Sequence, residues 1–322
     1  MMAVRGLRIE KPQPRRTMPV IRSPIAVTAA ALSGDPRSAT QQARAAGFSG
    51  LLFDAYSSAL ALPDLSASGR REFLHVLSAR QQQLVGLRWD VAGVGLRPGG
   101  DVDQVIARLD RVMEGAKGLQ SPLVCVDLGP LPEPPREAKP RPKVTSKDAG
   151  LILLPTAADV VRPSAAPEPA GPVDPPDPSF VSQVDAALVE LGRRADRYGV
   201  LLAFRSELSS LAALERALRA TDCPWFGIDL DPVAVLRDVW GLDEVFSRLG
   251  SLVRHVRARD ATRGADRRTK PAPVGRGDTN WDHLLANLDG AGYSGWITVD
   301  PMELPDRAAG ASSALKFLNS KK

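Results

Sequence analysis

Charged side chains stand at the ends of a series of short apolar runs in this sequence. They are Asp54, Asp90 after Trp89, Asp127, Arg205, Asp229 with Asp231, Arg257 with Arg259 and Asp260, and Asp300. One or two such residues would be ordinary loop caps, whereas seven charged run ends describe a polar pocket. The carboxylates could hold a hard divalent cation or move a proton, because an ionised carboxylate is rich in oxygen lone pairs. The arginines could do neither. A guanidinium stays protonated and has no lone pair for a metal, but its planar fork grips a carboxylate or phosphate at two points. Histidine is scarce, with only His75, His255 and His283 in the chain. His255 precedes Arg257 by two residues, so on a strand both face the same side, with His255 one layer deeper. That position suits a buried structural histidine better than a pocket group. His75 and His283 fall in helical patterns, and no Ser-His-Asp or Cys-His arrangement is readable.

The runs that would position these residues number eight: 25–30, 50–55, 84–89, 123–128, 200–205, 226–230, 253–259 and 296–300. Amphipathic segments follow each of them, over 38–46, 69–82, 102–118, 180–198, 211–220, 242–249, 281–292 and 308–319. Strand and helix in strict alternation imply a parallel sheet with crossover helices. Eight repeats fit a closed (β/α)8 TIM barrel better than an open doubly wound sheet. The first strand is followed by Ala30-Ala31-Leu32-Ser33-Gly34-Asp35, which is no glycine-rich phosphate loop. In such a barrel the carboxyl ends of the strands form the functional face, and the charged residues stand there.

One stretch breaks the rhythm. Half of the 28 prolines lie between Pro130 and Pro178, after the fourth strand. Proline lacks an amide donor and fixes φ, so 130–178 reads as a long insertion, either a lid over the pocket or a segment without a role there. Residues 1–19 read as a flexible arm without the apolar centre of a secretory signal, which leaves 20–322 as the barrel. The net charge of +5 is spread along the chain, a hint of an anionic ligand and a poor match to nucleic acid. No apolar stretch approaches the length of a membrane span. Cys125 and Cys223 lack metal or disulfide spacing and read as buried thiols, as expected in a reducing cytoplasm.

The last third resembles the sugar-phosphate isomerase/epimerase family of xylose isomerase-like barrels. His255-Val256-Arg257-Ala258-Arg259-Asp260 is similar to the family's seventh-strand His-Val-His-Ala-Lys-Asp. Pro273-Val274-Gly275-Arg276-Gly277-Asp278, with Trp281 opening a helix, resembles its Pro-Leu-Gly-Glu-Gly-Asp loop. Residues Gly292 to Asp300 resemble its eighth strand, and Phe226 to Pro232 its sixth. Gly47-Phe48-Ser49-Gly50 resembles its turn into the second strand.

The resemblance implies a divalent metal held by two carboxylates, an Asp and a His, polarising a sugar oxygen for proton transfer. Carried over position by position, the ligand set is depleted. The fifth-strand Glu falls at Arg205, the sixth-strand His at Ala234, the seventh-strand His at Arg257 and the loop Glu at Arg276. Asp231 and Asp300 remain as metal ligands, and a two-residue shift of the fifth strand would add Glu207. The resemblance thus makes Asp231, Asp300 and Glu207 the groups for chemistry. Together with the strand ends it leaves Arg205, Arg257, Arg259, Arg276, Asp54, Trp89, Asp127 and His255 around a ligand. Either a weakly held Mg²⁺ or Mn²⁺ or no metal is expected.

Three functions are open on this reading. One is a sugar or sugar-phosphate isomerase/epimerase acting on a small carbohydrate. The second is an inactive relative that binds an anionic sugar or a protein partner through an arginine-lined pocket. The third, the superfamily's DNA-repair endonuclease branch, needs a three-metal cluster with several histidines, which three histidines in all do not supply. The expected ends of the arginines and aspartates are pairing with one another or pairing around an anion.

Overall fold

The computed structural model describes residues 23–90, 96–134, 177–205, 209–264 and 268–322. The expected arm over 1–19, the body of the proline-rich insertion and Glu207 lie outside these residues. In chain order the strands are β1 (Ile25–Thr28), β2 (Gly50–Asp54), β3 (Gln83–Asp90), β4 (Leu123–Asp127), β5 (Leu201–Arg205), β6 (Phe226–Leu230) and β7 (Val253–Ala258). A ribbon of β8 (Asp260–Arg263) and β9 (Thr269–Ala272) follows, then β10 (Ile297–Val299). Strands β1 to β7 and β10 close into one parallel barrel, β10 lying between β7 and β1. All eight expected strands are present, and the fold is the expected (β/α)8 barrel.

The helices are α1 (Pro36–Ala46), α2 (Ala67–Ser78), α3 (Val102–Gly118), α4 (Pro178–Tyr198), α5 (Leu211–Arg219), α6 (Pro232–Arg237), α7 (Leu242–Leu249), α8 (Trp281–Gly290) and α9 (Arg307–Asn319). Most begin at a side chain that accepts a backbone N–H. Asp35, Ser66, Asp101, Asp177, Ser210, Asp231, Asn280 and Asp306 each do so. Such a cap contributes about 1 kcal/mol. Two elements were not expected from the sequence. The dipeptide Asp231-Pro232 starts α6 directly after β6, and the β8–β9 ribbon leaves the end of β7.

Alternation along the strands divides the interior. Val124, Val126, Leu202, Phe204, Ile228 and Leu230 point outward into the layer between sheet and helices. The lower half of the barrel is filled by a separate small cluster, Ala26, Leu52, Val85, Leu123, Cys125 and Ala203, packed by Leu201 and Trp296. These are mostly compact side chains, as a narrow barrel requires. Above them the inward positions become charged.

A β-bulge sets which residues of β3 face in. Leu51 pairs with Leu84, but Leu52 pairs with Gly86, so one residue of β3 is skipped. Val85 packs inside the barrel, and after the bulge Leu87 and Trp89 pack outward while Arg88 reaches Asp54. Strict alternation from Val85 would have put Trp89 inside and Arg88 outside. Gly86 permits the bulge: a Cβ there would lie 2.8 Å from the Leu123 carbonyl oxygen.

Candidate functional site

Seven of the eight barrel strands bring charged side chains of both signs to the carboxyl-end mouth. β2 brings Asp54, β3 Arg88 and then Asp90, β4 Asp127, β5 Arg205, β6 Asp229 and then Asp231, β7 Arg257 and then Arg259, and β10 leads into Asp300. β1, which closes the ring, ends in the neutral, fully buried Thr28.

Arg257 is the centre of the network and only 1% exposed. Its Nε and Nη2 both lie 2.6 Å from Asp229 Oδ2. Its Nη1 lies 3.5 Å from Asp300 Oδ2, and Nη2 lies 3.5 Å from Asp90 Oδ1. Arg88 donates through Nε to Asp54 at 2.7 Å and through Nη1 to Asp300 at 2.9 Å. Arg205 pairs with Asp127 at 3.2 Å and lies 3.6 Å from both Asp90 and Asp231. Arg259 donates to Asp231 at 2.6 Å and to Glu303 at 2.5 Å.

Beneath Arg257 lies His255, fully buried. Its Nδ1 is 2.7 Å from Asp229 Oδ1 and its Nε2 is 2.7 Å from Thr298 Oγ1. An ionised carboxylate only accepts, so Nδ1 carries a proton, and in the neutral ring Nε2 accepts from the Thr298 hydroxyl. Asp229 is thereby held on both oxygens. Burial by itself raises its carboxyl, but the Arg257 guanidinium and His255 outweigh burial and hold it well below the usual carboxylate range. The same contest, won by Arg259 and Arg205, keeps Asp231 low, and Arg257 and Arg205 keep Asp90 low. In return Asp229, Asp90 and Asp300 raise Arg257 against its own burial.

These residues do not fit a divalent metal. Asp231 has one oxygen on the Val233 amide, as the cap of α6, and the other on Arg259. Asp300 gives Oδ2 to two arginines, and its buried Oδ1 has no partner among the described residues. The sequence leaves Ala234 and two arginines at the other ligand positions. One donor group of mixed type does occur: Cys125, Asp229 and His255 bring ligand atoms within 4.8 Å of one another. Yet both ring nitrogens of His255 are engaged, and Asp229 already carries a guanidinium. Burial, aided by the charge on Asp229, pushes the Cys125 thiol well up and so keeps it neutral. A metal ligand must be a thiolate, a free imidazole nitrogen or an uncommitted carboxylate.

The sequence-derived candidates therefore divide. Asp54, Asp127, Arg205, Asp231, Arg257, Arg259, His255 and Asp300 are brought together. Trp89 is not: the bulge turns it into the apolar layer behind the barrel wall. Arg276 is also apart, on an exposed turn. The loop that carries it is tied down by Asp260, whose carboxylate accepts the backbone N–H of Gly275, Gly277 and Thr279 and the Trp281 indole. Arg88, absent from the candidates, joins three carboxylates and was hidden by the same bulge. Glu303 sits in a loop after β10 with no periodic signal to mark it.

The comparisons agree with this architecture. A xylose isomerase domain protein from Planctomyces limnophilus is 14% identical, with a TM-score of 0.67 over 95% of this chain and 98% of that one. A D-tagatose 3-epimerase-like protein is 15% identical, with a TM-score of 0.63 over 92% and 99%. A D-allulose 3-epimerase from Methylomonas sp. is 16% identical, with a TM-score of 0.61 over 94% and 99%. At these identities the likeness is one of fold. No curated protein matches the sequence. The family model of the xylose isomerase-like TIM barrel matches residues 40–321, and the chain belongs to that family.

Proposed function

We propose that this chain is a carbohydrate-binding member of its family that lacks metal-assisted isomerase or epimerase activity, and that its ligand is a small neutral polyol. The observation that carries this reading is the buried Arg257–Asp229 pair at the level where the resemblance asks for a ligand histidine. The cation of this site is part of the polypeptide. A guanidinium can donate to a hydroxyl, but it cannot offer the open coordination position through which a metal polarises a sugar oxygen.

The charge balance bears on the ligand class. Among the described residues of the cluster, the guanidiniums of Arg88, Arg205, Arg257 and Arg259 meet seven carboxylates, those of Asp54, Asp90, Asp127, Asp229, Asp231, Asp300 and Glu303. A surplus of negative charge disfavours a phosphorylated or acidic sugar, so the arginine-lined anion receptor is the weaker reading. Asp54 and Asp90 keep 26% and 32% of their side chains exposed and can accept from sugar hydroxyls.

The test uses the ketoses that related folds are named for. Saturation-transfer NMR with D-allulose and D-tagatose should show saturable binding, weakened in Asp90→Ala. Prolonged incubation with Mn²⁺ should leave each ketose unchanged by chromatography. Mn²⁺-dependent epimerisation would overturn the silent-site reading. Tighter binding of a ketose 6-phosphate than of the free ketose would overturn the neutral ligand.

A further inference from the structure

Beside the mouth, a second cleft of about 230 Å³ opens between the α6–α7 connection and the start of α8. Its apolar wall is built by Val235, Leu236, Val239, Trp240 and Leu284. Three observations mark it as more than a packing gap.

The first is the backbone. Val239 has φ +59°, in the left-handed region, and is a β-branched residue there. Such a conformation costs on the order of 1–3 kcal/mol and persists only where the surroundings hold it. The sequence would relieve it with glycine or asparagine, and a glycine follows two residues later at Gly241. Instead the turn is closed by the Trp240 amide donating to the Val235 carbonyl, so that Val239 and Trp240 both line the cleft.

The second is exposure. Val239 is 49% exposed, one of two large hydrophobic residues so exposed among the described residues. An apolar side chain held out of the core by a strained turn has no stabilising role of its own.

The third is unmet polarity. The Trp240 indole N–H and the Thr279 hydroxyl, both on lining residues, are buried and without a hydrogen-bond partner among the described residues. At the rim, Arg263 is exposed, and its guanidinium forms no ion pair among the described residues. Two other ionisable groups, Asp278 and His283, also line the cleft. Asp278 accepts the Arg263 backbone N–H, and His283 Nε2 is 2.7 Å from Asp243.

We propose that this cleft is a binding site for a small aromatic or alicyclic carboxylate. Its ring lies on Val235, Val239, Trp240 and Leu284, and its carboxylate is held by the Arg263 fork. The volume suits a single-ring compound, and the apolar wall with one convergent cation is the usual composition of a small-ligand site. This assignment is independent of the reading of the barrel mouth.

Benzoate is the probe, followed on the indole ¹H–¹⁵N cross-peaks of the five tryptophans. The Trp240 peak is identified by its loss in Trp240→Phe. Benzoate should move that peak saturably and leave most others still. Benzamide, which keeps the ring and lacks the charge, should bind about tenfold more weakly, as should benzoate to Arg263→Glu. Arg263 is exposed, so this variant should fold like the parent. Val239→Asp should abolish the shift. The proposal is overturned if benzoate leaves the Trp240 peak in place, if benzamide binds as tightly, or if Arg263→Glu binds benzoate undiminished.

Discussion

Replacing Arg257 by methionine removes the cation at the centre of the mouth and keeps most of its volume. Asp229 then keeps only His255, and Asp300 keeps only Arg88. Arg257 is 1% exposed and the Asp229 side chain is fully buried, so water does not replace the lost partner. Removing one member of a buried ion pair costs about 3–5 kcal/mol, chiefly because the other charge stays behind. On a barrel of this size that corresponds to a fall in Tm on the order of 10 °C. The charge left behind, rather than the lost packing, is the predicted cause, and two measurements separate them. Asp229→Asn added to Arg257→Met should recover a good part of the loss, because Asn keeps a hydrogen bond to His255 without the charge. The deficit relative to the parent should also narrow as pH falls, since Asp229 freed from Arg257 takes up a proton more readily. Urea denaturation of the four proteins of this cycle at two pH values tests both. Strictly additive single losses, or an Arg257→Met cost below about 1 kcal/mol, would refute the reasoning.

Two further outcomes are expected. Asp229, Asp231 and Asp90 are all depressed in the folded state, so their contribution is fully present above the unfolded carboxylate value near 3.9 and is lost as pH falls through the folded values. Tm should therefore hold from neutral pH down to about 5 and drop steeply below about 4, and a flat profile down to pH 2.5 would show that these pairs do not stabilise the fold. Gly86→Ala places a Cβ 2.8 Å from a backbone oxygen, which cannot swing aside as a side chain could. It should cost about 1–3 kcal/mol by thermal melting, and a neutral result would mean that the bulge is not fixed by Gly86.

Much of the barrel was readable because its signals are local. Eight apolar runs, each followed by an amphipathic helix, needed no knowledge of tertiary contacts. The polar mouth was readable for the same reason, since inward positions at strand ends follow from the period of two. What was lost depended on a break in that period. The register shift opposite Leu51 and Leu52 exchanged the faces of Arg88 and Trp89, and no composition rule marks it except the glycine at 86. The α6 turn and the β8–β9 ribbon are short, and their apolar content is too small to give a periodic signal. The cleft beside α6 was unreadable because it depends on the φ of Val239, a residue type that argues against the conformation it adopts.

Mutual neutralisation across the mouth explains why the arginines and aspartates stand there together. A metal site needs lone-pair donors converging from neighbouring strands onto one point. Here Asp54, Asp127, Asp229 and Asp300 instead each have an arginine on a flanking strand, and Asp90 lies near Arg88, Arg205 and Arg257. An arginine placed alone among ligands would face carboxylates still gathered around a dication and a coordination gap. An aspartate left without its arginine would be a buried uncompensated charge. Either intermediate costs several kcal/mol. At β1 neutral Thr28 separates Asp300 from Asp54, and Arg88 bridges both carboxylates. Beside this bridge the buried Asp300 Oδ1 has no hydrogen-bond partner among the described residues.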